Sequence, residues 1–135
     1  MNLKSLIVNI HWIPVIVMTL SSFVLGALWH TKYLFGRAWA REINPDKKPI
    51  VMNFKLIFGG TALAHFVAIA SLSAILSGTG ALHGFLTGLL ISGMWILPAM
   101  TGTYLFANRS LKLLAIDAGM YLLLFSVTGL VMGIW

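Results

Sequence analysis

The chain of 135 residues contains no cysteine and only three acidic residues. The absence of cysteine excludes disulfides, thiolate catalysis and zinc sites built on thiolates. Charged residues make up 9% of the chain and hydrophobic residues 59%, whereas soluble domains contain about 25% and 45 to 50%. A chain with so few charged residues cannot form the polar surface that a water-soluble domain requires. The composition therefore predicts a single integral membrane domain, residues 1–135, whose main solvent is lipid.

Four apolar runs are long enough to cross a hydrocarbon core, which requires about 20 helical residues. They cover residues 7–29, 56–76, 85–104 and 113–135. The first run exceeds the roughly 7 to 15 apolar residues of a signal-peptide core and ends in Trp29-His30 instead of small residues, so it is predicted to be a mature span. The predicted fold is therefore an all-α bundle of four transmembrane helices.

The nine lysines and arginines are distributed unevenly over the connections between these runs. Six lie in the loop 30–55 and two lie between the third and fourth runs, whereas only Lys4 falls on the opposite side. Short loops rich in Lys and Arg stay in the cytoplasm. The pattern predicts both termini outside and both basic loops on the cytoplasmic side of the membrane. These cations indicate orientation in a lipid bilayer, and not the continuous basic face that binds nucleic acid.

Aromatic side chains accompany the cations at the predicted inner end of the first span. Amphipathic rings suit the headgroup layer and long basic stems reach water from it. We therefore predict a set of interface anchors consisting of Trp29, His30, Tyr33, Arg37 and Trp39. The alternative is a site built on Trp29 and His30. The turn Asn44-Pro45-Asp46 follows, and the residues before it are predicted to form a short interfacial helix.

Two ionisable residues fall clearly within the predicted spans, where a carboxylate at the bilayer centre costs about 2.5 to 3.5 kcal/mol. His65 lies near the middle of the second span, and either a proton relay or an interhelical hydrogen bond would explain it. Asp117 lies about 6 Å inside the fourth span. It is predicted to form a structural pair, with His30, Lys32 or Arg109 as partners, or to serve as an entry site for an ion or proton.

The fourth span carries two different stripes. One is polar and places Tyr121 and Thr128 on the same helical face as Asp117, so the candidate intramembrane site comprises His65, Asp117, Tyr121 and Thr128. The other consists of small residues, which let helices approach closely. Together with the third span it gives a predicted packing interface of Gly84, Gly88, Gly119, Ser126, Gly129 and Gly133. This interface predicts a tight bundle or an oligomer.

The third span contains Pro98 between Gly93 and Gly102, which predicts a bend in the helix. Irregular backbone at membrane depth faces protein or a cavity. Trp95 beside this bend is therefore expected either to line a cavity or to pack against other side chains.

Several motifs, in this order, resemble one family over nearly the whole chain. They are Gly26-Ala27-Leu28-Trp29, Leu34-Phe35-Gly36-Arg37-Ala38-Trp39, Arg109-Ser110-Leu111-Lys112, Ile116-Asp117-Ala118-Gly119 and the terminal Gly129-Leu130-Val131-Met132-Gly133-Ile134-Trp135. The chain is similar in these motifs to the DUF1761 family of small bacterial membrane proteins. The resemblance implies an integral membrane protein with four helices and brings no established activity, ligand or site.

The sequence lacks the parts of a catalytic or metal centre. No three of its four histidines can converge on one metal, no cofactor is indicated, and no nucleophile and base stand at usable spacing. We therefore expect a non-enzymatic structural or accessory subunit of a membrane assembly, with a homo-oligomer or other membrane subunits as its partners. The alternative is a small homo-oligomeric transporter or channel for an ion, a proton or a small solute.

Overall fold

The computed structural model describes residues 3–49 and 51–135, and the regular secondary structure of this part of the chain is all helical, without strands. The predicted single domain, residues 1–135, also includes Met1, Asn2 and Ile50, which lie outside the described residues. The elements are α1 Leu3–Val8, α2 Trp12–Trp29, α3 Gly36–Ile43, α4 Phe54–Leu76, α5 Ala81–Ile91, a π-helical segment Ser92–Ile96, α6 Leu97–Phe106 and α7 Leu111–Ile134. α5, the π segment and α6 form one rod, Ala81–Phe106.

Four helices are long and apolar enough to cross a membrane, namely α2, α4, the rod and α7. The predicted fold class, an all-α membrane bundle with four spans, is therefore confirmed. We call the end of the bundle that contains Trp29, α3 and the start of α7 the loop end. The opposite end, which contains Trp12, Leu76 and Ile134, is the terminal end.

The predicted start of the first span at residue 7 is wrong. α1 ends at Val8 and α2 begins at Trp12, with a non-helical connection between them. Pro14 explains the break, because in a continuous helix its ring would clash with the carbonyl of Ile10 and its missing N–H would leave that carbonyl without a donor. In the first turn of α2 the proline is tolerated, since the N–H groups there have no helical partner.

The other spans begin earlier than predicted because capping residues lie outside the apolar runs. α4 begins at Phe54, where the Asn53 side chain accepts a hydrogen bond from the N–H of Leu56 at 3.1 Å. α7 begins at Leu111, where the Ser110 hydroxyl oxygen accepts from the N–H of Leu113 at 3.1 Å. Such caps satisfy N–H groups that the first helical turn leaves unpaired. The rod likewise extends beyond the predicted 85–104 at both ends.

α7 is the central helix, and it contacts α2, α3, α4 and every part of the rod. One side of it faces α2 and α4 and forms an apolar core toward the terminal end. The buried members of this core are Val15, Met18, Ile69, Leu72, Leu76, Leu124, Phe125 and Met132. Side chains of ordinary size fill the space between these three helices, so α2 and α4 are held to α7 mainly by apolar packing.

The other side of α7 approaches the α5 backbone directly. A Cβ atom on Gly84 would overlap the carbonyl of Gly129, and one on Gly133 would overlap the carbonyl of Gly80. The N–H of Gly80 donates to the carbonyl of Gly133 at 2.8 Å. Five of the six residues of the predicted packing interface lie along this contact, namely Gly84, Gly88, Ser126, Gly129 and Gly133. The sixth, Gly119, packs against the indole ring of Trp29.

Replacing Gly88 by alanine should destabilise the bundle, because the added Cβ would overlap the carbonyl of Phe125 on α7. We expect the free energy of unfolding in mixed detergent micelles to fall by about 1 to 3 kcal/mol, as for other overpacked cores. Gly60→Ala on α4 is the matched control, because no atom lies within 4 Å of its added Cβ. It should be neutral or stabilise the helix by about 0.5 to 1 kcal/mol. Equal losses in both variants would contradict the close contact of α5 with α7.

Candidate functional site

Asp117 is the point where α3, α7 and the rod meet at the loop end. Its Oδ1 accepts a hydrogen bond from the Nε1–H of Trp39 on α3 at 3.0 Å. Its Oδ2 accepts from the hydroxyl of Tyr104 on α6 at 2.6 Å. The side chain is only 18% exposed, so these bonds replace most of the hydration of the carboxylate. A single carboxylate thereby ties α3 and α6 to the central helix.

His30, just after α2, completes this cluster. Its Nδ1 lies 2.8 Å from the carbonyl of Gly26, and since a carbonyl only accepts, Nδ1 carries a proton. Its Nε2 lies 3.8 Å from Oδ1 of Asp117. A bare lone pair at Nε2 would repel that carboxylate oxygen, so the contact is attractive only when Nε2 is protonated as well. The edge of the imidazole also packs on the Trp39 ring, with centroids 5.0 Å apart.

Of the three partners predicted for Asp117, only His30 contacts it, and no ion pair with Lys32 or Arg109 is found over residues 3–49 and 51–135. The sequence does not predict Trp39 and Tyr104 as partners of Asp117. The basic neighbours of Trp39 indicate the headgroup layer instead. Tyr104 stands at the end of an apolar run, and only the tertiary fold brings it to α7.

A short helix, α3, precedes Asn44 as predicted, while its location at the membrane interface stays a prediction. A second contact holds α3 near its C-terminal end. The hydroxyl of Ser110 donates to the carboxylate of Glu42, and Nζ of Lys112 lies 3.5 Å from the same carboxylate. The hydrogen bond from Ser110, followed by the charge of Lys112, holds the pKa of Glu42 below its ordinary value. The Nε1–H of Trp29 donates to the carbonyl of Ile116 at 3.0 Å. The loop is thus tied to the first two turns of α7.

The five predicted interface anchors fall into two groups. Trp29, His30 and Trp39 are half-buried and bonded within the protein as described above. Tyr33 is 83% exposed and Arg37 is also exposed, as a residue of the headgroup layer would be. Location of all five in that layer stays a prediction. The alternative, a site that includes Trp29 and His30, fits the geometry of the first group.

His65 is 8% exposed and lies on α4 opposite Ser22 of α2. The Ser22 hydroxyl donates its single proton to the carbonyl of Thr19 at 2.6 Å. The Ser22 oxygen must therefore accept from Nδ1–H of His65, which lies 2.7 Å away. This is an interhelical hydrogen bond, one of the two roles predicted for His65. It leaves Nε2 of the neutral ring as an acceptor, and the described residues provide no partner for it.

Thr128 of α7 is completely buried, and its hydroxyl also lacks a partner among the described residues. Thr128 and His65 line the same small void, together with Leu124 and Phe125, and the void is too small for a water molecule. Tyr121, about two helical turns nearer the loop end than Thr128, makes an edge-to-face contact with the ring of His65, with centroids 6.1 Å apart. These contacts link three of the four predicted intramembrane residues.

Asp117 lies in a neighbouring part of the bundle and does not contact His65. Two adjacent cavities separate the two side chains. A cavity of about 450 Å³ is lined by Asp117, Tyr104 and Tyr121, and one of about 720 Å³ is lined by His65 and Ser22. His30, Trp39 and Met120 form part of the wall of both cavities. We call the larger cavity, which lies between α2 and α4 at the loop end, the α2–α4 cleft.

The predicted irregularity of the third span is the π-helical segment Ser92–Ile96. It ends just before Pro98, which has no N–H to donate to the carbonyl four residues earlier, and a wider turn accommodates that loss. Trp95 within it is 67% exposed. It lines none of the cavities described above and is not buried in the bundle, so neither role expected for it is fulfilled within this chain.

These features define a membrane protein with four helical spans, in which the short helix α3 is tied to a carboxylate on the central helix. No cluster of three metal-ligating side chains occurs in the part of the chain that the structure describes. Residues 13–133 match the family described as "Protein of unknown function (DUF1761)". The chain belongs to this family, which confirms the resemblance of its motifs. No curated protein and no solved structure matches the chain.

Replacing Trp39 by phenylalanine should loosen α3, because the variant keeps an aromatic ring and removes the N–H that Asp117 accepts. Hydrogen bonds to charged groups contribute about 1.5 to 3 kcal/mol, and we expect a loss of this size in the free energy of unfolding. In an Asp117→Asn background the same replacement should cost clearly less, since the charged acceptor is already gone. Unfolding of the four proteins of this double-mutant cycle provides the measurement. Additive losses would show that the bond does not hold α3.

Proposed function

We propose that the protein is a non-enzymatic integral membrane protein that serves as a structural or accessory subunit of a membrane assembly. The observation that carries this proposal is the position of Trp95. It is residue 15 of the 26 in the rod Ala81–Phe106, near the middle of the span, and its side chain is 67% exposed. Tryptophan favours the two ends of a span, where the indole N–H reaches water or headgroups.

An indole N–H in hydrocarbon has no acceptor, and an unpaired group there costs several kcal/mol. No hydrogen bond from Trp95 is found within the described residues. Met94 beside it is equally exposed, and the helix is locally π-helical, as is frequent at functional sites. A second membrane helix packed on Met94 and Trp95 would supply both apolar cover and an acceptor. This supports a homo-oligomer or a complex with other membrane subunits.

The polar side chains support an accessory role more than a transporter or channel. From His65 toward the terminal end the bundle is filled by the apolar core, and the void beside Thr128 is too small for water. Within residues 3–49 and 51–135 of the single chain, the apolar core therefore separates His65 from the terminal end. At the loop end Asp117 is engaged by Trp39 and Tyr104. This arrangement suits a tether for α3 better than a catalytic base.

Replacing Trp95 by alanine should dissociate the assembly without destabilising the single chain, because the side chain is mostly exposed in the isolated bundle. Native mass spectrometry after gentle extraction should show the wild-type chain in one stoichiometric oligomer or complex and the variant chiefly as a monomer. The matched control is Phe106→Ala, an aromatic residue on the same rod that is 97% exposed at the loop end. It should leave the assembly intact.

Two results would contradict this proposal. One is a wild-type protein that is monomeric under conditions that preserve known membrane complexes. The other is a Trp95→Ala variant that keeps the full wild-type assembly. If an assembly forms, its subunit composition distinguishes a homo-oligomer from a complex with other subunits.

The assembly is proposed to lie in a bacterial cytoplasmic membrane, with both termini outside and the loop end facing the cytoplasm. The support is the distribution of charge, because eight of the nine lysines and arginines lie in the two connections at the loop end. Basic connections of this length are retained in the cytoplasm. The one short connection at the terminal end, residues 77–80, contains no Lys or Arg.

The absence of cysteine allows a direct test of this orientation with single cysteine variants. In intact cells a maleimide that does not cross membranes should label Thr79→Cys at the terminal end, and it should not label Lys48→Cys at the loop end. Both positions are exposed, so both should react after detergent solubilisation, which is the control. If Lys48→Cys alone were labelled in intact cells, the loop end would face outward, which is the reverse of the proposed orientation.

A further inference from the structure

The α2–α4 cleft has the size of a ligand pocket and opens on the outer surface of the bundle. Its volume is about 720 Å³, within the roughly 300 to 1,000 Å³ typical of small-molecule sites. Side chains of Val24 on α2 and of Ile57 and Phe58 on α4 line it and are themselves exposed. The cleft therefore opens on the apolar outer surface of the bundle at the loop end.

The inner wall of this cleft is apolar with few polar groups. His65 and Ser22 lie at the end nearest the middle of the bundle, and they are bonded to each other. At the loop end the wall is formed by His30 and Trp39. Trp39 also lines a surface pocket of about 310 Å³ that includes Asn44 and Lys47. The cleft and this surface pocket thus share the indole ring of Trp39 as part of their walls.

The surface next to this junction carries uncompensated positive charge. The loop 30–55 contains six cations and two carboxylates, and both carboxylates are already engaged, Asp46 by Lys48 at 2.9 Å and Glu42 by Ser110 and Lys112. Lys47 lines the surface pocket. Lys55 is exposed in the first turn of α4, one turn before Phe58 of the cleft. No ion pair of either lysine is found within the described residues.

We infer that the α2–α4 cleft binds one anionic phospholipid of the adjacent leaflet. The acyl part lies between α2 and α4, and the phosphate lies at Lys47 and Lys55, with Trp39 at the junction of chain and headgroup. The hydrocarbon chains of a lipid match the apolar wall of the cleft. A negatively charged headgroup complements the charge of the two lysines that have no ion pair. A lipid joins these two properties in one molecule. This site is independent of the assembly proposed above, which concerns the opposite helical rod.

The test uses the purified full-length chain in phosphatidylcholine nanodiscs with a small fraction of chain-labelled phosphatidylglycerol, read by electron paramagnetic resonance. The expected spectrum contains a motionally restricted component equal to one phosphatidylglycerol per chain. Ala27→Trp should abolish this component, because Ala27 lines the cleft and a large side chain there would fill it. Ala99→Trp, at an exposed position on α6, is the matched control and should retain the component.

The headgroup is tested by neutralising the lysines. Lys47→Gln and Lys55→Gln should each lower the preference for phosphatidylglycerol over phosphatidylcholine about fivefold, since each cation near the surface contributes about that factor. Lys4→Gln at the terminal end is the control and should leave the preference unchanged. These variants do not alter the cleft, so they remain informative if Ala27→Trp folds poorly.

Three results would overturn the inference. Retention of the restricted lipid in a folded Ala27→Trp protein would show that the cleft is not the site. Equal binding of phosphatidylcholine and phosphatidylglycerol by the wild-type chain would remove the anionic headgroup from the proposal. A change of oligomeric state in Ala27→Trp, with no change in bound lipid, would show that a second protein chain occupies the cleft instead. This last result would not affect the proposed role of Trp95 in assembly, which the Trp95→Ala variant tests separately.

Discussion

Hydrocarbon offers no partner to a hydrogen-bonding group, and this constraint accounts for most polar contacts in the bundle. His65 bonds to Ser22, and the Asp117 carboxylate accepts from Trp39 and Tyr104. Several hydroxyls within the spans donate to the carbonyl three or four residues earlier, as those of Thr19 and Ser92 do. The bonds of His65 and Asp117 join different helices and therefore help to determine which helices are neighbours. Nε2 of His65 and the hydroxyl of Thr128 lack a partner among the described residues, but both are buried. The indole of Trp95 is exposed instead, so its missing acceptor is sought outside the chain.

α7 satisfies two different packing requirements on its two sides. Toward α5, glycines allow the backbones to touch, and dispersion between closely spaced atoms replaces the hydrophobic driving force that lipid does not provide. Toward α2 and α4, side chains such as Ile69, Leu124 and Met132 fill the space. At the loop end α2 and α4 do not pack directly against each other, and the α2–α4 cleft lies between them. The same geometry that positions the central helix therefore creates the cavity.

The loop end combines three properties that the rest of the bundle lacks. It contains a half-buried carboxylate, a short helix held at Trp39 and Glu42 by contacts to the start of α7, and an excess of cations. The bonds of Trp39 and Glu42 hold α3 against the bundle, and Lys47, just after α3, lines a surface pocket together with Trp39. An isolated basic loop would attract a membrane surface only in a general way. Because α3 is held against the bundle, this general attraction is expected to act at one place, the proposed lipid site beside the α2–α4 cleft.

The sequence by itself determined the number of spans, the small-residue faces, the short helix before Asn44 and the polar stripe of α7, because these depend on local composition and helical period. It also placed His65 and Asp117 within spans. It missed the break before Pro14, and the caps Asn53 and Ser110 lay outside the apolar runs used to mark helices. Only the tertiary structure decided that the glycines of α5 and α7 meet each other, that Trp39 and Tyr104 engage Asp117, and that Trp95 faces outward. Those facts depend on how helices rotate and dock, and helical period defines the faces of a helix without specifying which neighbour each face meets.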